Sequence, residues 1–193
     1  ERAHFLNADV IVFPELSLTG YEPTLAHQLA LKSNDNQFNT FQHKADEKKI
    51  TICLGMPIKW DEGITISMLI FQPQASLTTY SKQILHDDEK PYFIAGKSNI
   101  DINVKGHRLA FGICYETLQK TFIDSISDKC DCLIASVAKP QRGLDKVQQL
   151  YPEFAHKTNR TILMSNSIGQ CDDFTSAGQS GVWTPSGLSL IHI

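Results

Sequence analysis

The sequence predicts an α/β protein. Short apolar, β-rich runs recur from Val10 to Trp183, and several of the stretches between them space their apolar residues as a helix does. The chain is also the right size: 193 residues with 41% hydrophobic side chains and no low-complexity tract suit one domain with a real core.

Taken in order, residues 1–8 read as the last turns of a helix that enters a strand at residues 10–13. Phe38, Phe41 and Ala45 fall on one helical face. Strands are expected at residues 50–55, 67–71, 109–114 and 132–137, with Phe122, Ile123 and Ile126 marking a helix between the last two. A third helix is expected from about residue 145 to 159. Val147, Leu150, Phe154 and Ala155 form its apolar side, and Pro152 marks a kink or a fresh start. Strands at 161–165 and 181–183 follow, and residues 188–193 begin another.

Charge narrows the function. The net charge is −3, and basic residues such as Lys44, Lys48, Lys49 and Arg142 are scattered among acids, so no nucleic-acid partner is expected. No apolar stretch approaches the roughly 18 residues of a membrane span, so no membrane partner is expected either. Five irregularly spaced cysteines favour a reducing, cytoplasmic setting. Cys53 reads as a packed strand residue, Cys171 as a loop residue reactive by exposure. Cys130 and Cys132 lack a nearby histidine to complete a metal site, so no metal is expected.

Three segments each end on a reactive side chain: Val10-Ile11-Val12-Phe13-Pro14-Glu15, Thr79-Tyr80-Ser81-Lys82 and Leu109-Ala110-Phe111-Gly112-Ile113-Cys114. Carboxylate, amine and thiol are the parts of a thiol hydrolase. A free thiol titrates near ~8.5 and is a modest nucleophile until a neighbour removes its proton. Glu15 suits the general base, and a protonated Lys82 suits both biasing Cys114 toward thiolate and facing an oxyanion. The Tyr115 amide suits a second oxyanion donor, and Gly112 leaves room for close approach. A Cys-His pair is the rival scheme. His86, His107 and His156 are available for it, though none has a local signature.

These residues resemble the nitrilase superfamily, the carbon-nitrogen hydrolases, whose motifs run Phe-Pro-Glu, Tyr-x-Lys and Gly-x-x-Cys-x-Glu or Asp. Here they read Phe13-Pro14-Glu15 with Thr19-Gly20-Tyr21 following, Tyr80-Ser81-Lys82, and Gly112-Ile113-Cys114-Tyr115-Glu116. Asp88-Glu89-Lys90-Pro91-Tyr92-Phe93 with Gly96 is similar to the family stretch that holds a second active-site glutamate, which points to Glu89. Residues 165–169 and 176–180 resemble the family's late strand and glycine-rich turn.

The resemblance implies a four-layer α-β-β-α sandwich and a catalytic set of Glu15, Lys82, Cys114 and Glu89, with Glu89 holding Lys82 charged. It also implies a single domain over residues 1–193 that lacks the family's first strand and closing elements, self-association into homodimers or larger oligomers, and no cofactor. Tyr21, Phe93, Tyr115, Ala138 and Lys139 are candidate substrate contacts because they adjoin the motifs or follow a strand end, and each could equally be packing. Lys139 could meet a substrate carboxylate. The expected partner is a small-molecule amide, nitrile or carbamoyl compound. An N-acyl or amido transferase, a glutaminase module and an inactive fold relative are the alternatives.

Overall fold

The computed structural model describes residues 1–126 and 128–192. A short helix α1 (Arg2–Phe5) leads into the first sheet, in which β1 (Val10–Val12), β2 (Thr51–Lys59), β3 (Ile64–Phe71) and β4 (Thr78–Ser81) lie side by side in chain order. Between β1 and β2 run α2 (Ala26–Leu29) and α3 (Asn39–Lys48). The second sheet begins with β5 (Asp101–Val104) and β6 (His107–Ile113), continues through α4 (Lys120–Ser125) to β7 (Cys132–Val137), and through α5 (Gln141–Thr158) to β8 (Thr161–Asn166). A hairpin of β9 (Ile168–Cys171) and β10 (Phe174–Ala177) then stands apart, before β11 (Gly181–Trp183) and β12 (Ser189–His192) complete the six-stranded order β12-β11-β8-β7-β6-β5.

The period of two along each strand separates the layers. Ile64, Ile66, Met68 and Ile70 of β3 face the inner core with Phe111 and Ile134. Ile52, Leu54, Met56 and Ile58 of β2 pack outward with Leu69 and Phe71 against Phe38 and Ala45. Leu144, Val147, Tyr151 and Phe154 of α5 join Phe122 and Ile123 on the far side of the second sheet. Helix, sheet, sheet and helix thus form the expected four layers.

The pairings set the site's location. β1 and β2 are parallel, as are β6, β7 and β8, so β1, β6 and β7 present their carboxyl ends where an α/β sheet opens to ligand. Glu15, Cys114 and Lys139 follow those three ends.

Several elements differ from the sequence reading. The strands expected at 50–55 and 67–71 are a longer antiparallel hairpin, Thr51–Lys59 with Ile64–Phe71. Pro57 does not end β2, because its carbonyl accepts from the Leu31 amide on the side away from β3, and its missing N–H breaks no β2–β3 bond. Helix α5 starts at Gln141 rather than near 145 and runs through Pro152 unbroken; the carbonyl that Pro152 leaves unpaired belongs to exposed Gln148. β5 was not expected although Asp101-Ile102-Asn103-Val104 alternates polar and apolar, and the β9–β10 hairpin lacks the alternation that would have marked it. Cys171 lies buried in β9 instead of exposed in a loop. Of the strand expected over 188–193, residue 193 lies outside the described residues. Among the described residues no helix is long and apolar enough to cross a membrane.

Ile66 is fully buried between the sheets. Ile66→Ala is expected to cost about 2–5 kcal/mol, read as a lowered denaturant midpoint at unchanged slope.

Candidate active site

Glu15 follows β1 in a turn whose next residue, Leu16, takes a left-handed φ of 51°. Gly55 of β2 makes that turn possible, since a Cβ there would collide with the backbone of Pro14, Glu15 and Leu16. The turn sends the Glu15 carboxylate inward, 2% exposed, to meet Lys82 at the end of β4. Lys82 has no exposed surface. Its Nζ donates to Glu15 Oε1 at 2.8 Å and to Glu89 Oε1 at 2.5 Å. Glu89 is held in turn by the Tyr21 hydroxyl at 2.9 Å and by the His86 amide at 2.8 Å.

An ammonium has three donors, and two are committed here. Burial works against the Lys82 charge, but Glu15 and Glu89 outweigh it and hold the pKa above the ordinary lysine value. Burial raises Glu15 above the ordinary carboxylate value; Lys82 opposes the rise and Glu89 adds to it. Glu15 Oε2 is buried with no hydrogen-bond partner among the described residues.

Cys114 does not close the strand, as the sequence reading had it. β6 ends at Ile113, and Cys114 starts a 3-10 turn (Cys114–Leu118) with φ at 49°, a sparsely populated conformation for a residue with a Cβ. Its thiol lies 3.6 Å from the Ala138 carbonyl. Burial pushes the thiol pKa up to about 11, with Glu15 adding to the rise and Lys139 and Lys82 opposing it. Lys82 thus lowers the thiol pKa as expected, but burial, with Glu15 and Glu89, outweighs it. Cys114 makes no hydrogen bond to a histidine among the described residues. His86 stacks edge-on against Tyr115 and pairs with Asp88; His107 and His156 lie exposed on the surface.

The thiol opens onto a cleft of about 560 Å³ lined by Tyr21, His86, Glu89, Tyr115, Ala138 and Lys139, among others. Four of the five candidate substrate contacts thus line it. Phe93 does not: it is 4% exposed and packed into the inter-sheet core, with its amide bonded to the Glu89 carbonyl. Its apolar ring finds more burial in the core than at the cleft. Gly112 also serves packing, since a Cβ there would meet the Thr117 methyl and the Phe122 ring.

A family model described as carbon-nitrogen hydrolase matches residues 1–191. The chain belongs to the carbon-nitrogen hydrolase family. It is 30% identical over 195 residues to a glutamine-dependent NAD(+) synthetase of Acinetobacter baylyi, covering 94% of this chain and 35% of that protein. A synthetase of the same description from Aquifex aeolicus is 30% identical over 111 residues, covering 54% of this chain and 19% of the relative. The chain therefore spans about a third or less of the curated relatives it matches. Among solved structures, an amidase from Nesterenkonia sp. is 20% identical with a TM-score of 0.88, covering all of this chain and 75% of that one. The carbon-nitrogen hydrolase superfamily protein XC1258 from Xanthomonas campestris is 19% identical with a TM-score of 0.88, covering 96% and 74%. These two likenesses speak to the fold.

Within this carbon-nitrogen hydrolase frame, Glu116 is a residue whose part the sequence did not reveal. It stood in the third motif without a role. Its buried carboxylate accepts from the Ile113 amide and Tyr80 hydroxyl at 2.7 Å on one oxygen, and from the Gln83 and Ile84 amides at 2.7 and 3.1 Å on the other. It thereby fastens the Cys114 turn to the Lys82 segment. Thr117, bonded to the Cys114 carbonyl and to the Tyr151 hydroxyl, braces the same turn from α5. Asn166 and Ser176 fix the Lys139 backbone from β8 and β10.

Three outcomes test this geometry. The rate of Cys114 alkylation by iodoacetamide, followed by peptide mapping, should keep rising with pH toward about 11 instead of levelling at the ordinary thiol value. Glu15→Gln removes the anion that raises the thiol, so the midpoint should move to lower pH. Gly55→Ala should displace the Glu15 turn and suppress any activity that depends on Glu15, measured beside a circular dichroism check of folding.

Proposed function

We propose that this chain is a thiol amide hydrolase that releases ammonia from a small amide through an acyl-cysteine intermediate. The observation that carries the reading is the convergence of Cys114 with Glu15 and Lys82, in which Glu15 keeps one buried oxygen free to take a proton. Because the thiol rests protonated, attack and proton transfer occur together: Cys114 Sγ bonds to the amide carbon as Glu15 Oε2 accepts the thiol proton. The carbonyl oxygen becomes an oxyanion facing the third donor of Lys82 and the Tyr115 amide. Collapse breaks the carbon-nitrogen bond as Glu15 returns its proton to the departing nitrogen. Water then gives a proton to Glu15 and its oxygen to the thioester carbon, and the released thiolate regains the proton.

Glu89 acts through Lys82, keeping it charged and aimed. The free cysteines suit a reducing compartment, and the cytoplasm is the location we propose. The similarity to two glutamine-dependent synthetases supports a narrower second reading, a glutaminase module whose amide is glutamine and whose ammonia is consumed by another part of a longer protein. A transferase differs from both only in that an amine, instead of water, resolves the thioester.

The test is ammonia release from butyramide, a nitrile, a carbamoyl amine and glutamine, with and without added amine. We expect turnover of at least one amide, an acyl adduct on Cys114 by intact mass, and loss of both in Cys114→Ala. Ammonia release that survives Cys114→Ala would overturn the reading.

A further inference from the structure

The peptide unit that joins Cys114 to Tyr115 has two ends with different tasks. Its N–H is the Tyr115 amide, the oxyanion donor of the scheme above, and its C=O is the Cys114 carbonyl. A trans peptide is planar with these two groups pointing in opposite directions, so whatever fixes the carbonyl also aims the amide.

The carbonyl is fixed by a short relay of hydroxyls. Thr117 Oγ1 donates to it at 2.6 Å and lies 2.6 Å from the Tyr151 hydroxyl. A threonine hydroxyl has a single hydrogen to give, and a carbonyl can only accept. That hydrogen is therefore spent on Cys114, and Tyr151 is the donor to Thr117. Neither side chain has exposed surface, and burial raises the Tyr151 pKa above the ordinary tyrosine value, which keeps the outer donor protonated. The relay runs one way, from Tyr151 through Thr117 to Cys114, and away from water each bond in such a chain polarises the next.

Its members are also held separately. A Cβ at Gly112 would come within 2.7 Å of the Thr117 methyl, so the missing side chain there gives Thr117 its place. Tyr151 stands on α5 with its ring edge-on to buried Trp183 of β11, the ring centroids 5.0 Å apart. On the other side of Cys114 the Ile113 amide is fastened to Glu116 at 2.7 Å. The left-handed φ of 49° is thus bracketed by one hydrogen bond before it and one after. Packing alone does not call for the hydroxyl, since valine has nearly the shape of threonine.

We infer that Thr117 and Tyr151 are positioning residues for the oxyanion, which aim and polarise the Tyr115 amide through the Cys114 carbonyl and so act on the tetrahedral state, not on the thiol. This rests on the oxyanion site of the amide-hydrolase reading above.

Two reactions of Cys114 separate these roles. Acylation by p-nitrophenyl acetate passes through an oxyanion, as Sγ bonds to the carbonyl carbon before p-nitrophenolate leaves; alkylation by iodoacetamide displaces iodide at a methylene carbon and forms none. We expect Thr117→Val to slow acylation about tenfold, less than the ~10²-fold or more that follows outright loss of an oxyanion donor, and to leave alkylation within about twofold. Tyr151→Phe removes only the outer donor and should slow acylation by a smaller factor, and the double variant should be no slower than Thr117→Val because the hydroxyls act in series. Thr117→Ser should restore acylation. Circular dichroism checks folding, and should Thr117→Val fail it, Tyr151→Phe carries the same comparison. Equal slowing with both reagents would overturn the inference, since the relay would then serve the thiol alone. So would unchanged acylation in the variants, or an unaltered chain that iodoacetamide labels at Cys114 and p-nitrophenyl acetate does not. If no amide is turned over while the acylation difference holds, the hydrolase reading fails and the relay stands.

Discussion

The site is organised by the requirement that one fully buried ammonium be neutralised. Lys82 cannot sit between two sheets unless carboxylates meet it there, and they come from separate parts of the chain: Glu15 from the end of β1, Glu89 from the loop after β4. Removing Lys82 would leave both carboxylates in the interior without their counter-ion, a defect worth several kcal/mol in buried pairs. The bonds that engage Glu15 therefore also pin the end of β1 to the end of β4, and the candidate site and the fold share one set of contacts.

Glu116 extends the same logic to the second sheet. Four donors converge on its carboxylate, two of them from the segment just after Lys82 and one from the strand that delivers Cys114. Burial raises its pKa, and those donors oppose the rise. The spacing of Cys114 and Lys82 is thus set by a carboxylate bridge, with Thr117 and Tyr151 bracing the turn from the helix side. Such a frame suits the reaction proposed above, because neither donor nor acceptor has to search for the other.

Much of this was legible in the sequence, and the limits are physical. The strands of β1, β6, β7 and β8 announced themselves because each carries a short run of apolar residues that the layers cover, as in Val10–Val12, Leu109–Ile113, Leu133–Ile134 and Ile162–Met164. β5, β9 and β10 are four residues each and mix polar with apolar side chains, so their pairing depends on neighbours that a linear reading does not see. The reactive trio stood out by residue type and motif order. Glu116, Asn166 and Ser176 did not, since a carboxylate or amide that clamps backbone acquires its role from contacts distant in sequence. Phe93 and Cys171 went the other way: adjacency to a motif, or to polar residues, says little about which side of the sheet a side chain enters. The burial of the Cys114 thiol was likewise invisible, and with it the rise in its pKa.

One posture of the backbone has a wider meaning. At φ 49°, Cys114 occupies a conformation that any side chain resists and that glycine accepts freely, and the clamps around it hold it there against local preference. Glycine at this position would suit the fold better than cysteine does. A search for thermostable variants would therefore tend to drift away from reactivity at this residue, so the proposed nucleophile marks a point where durability and chemistry are in direct competition.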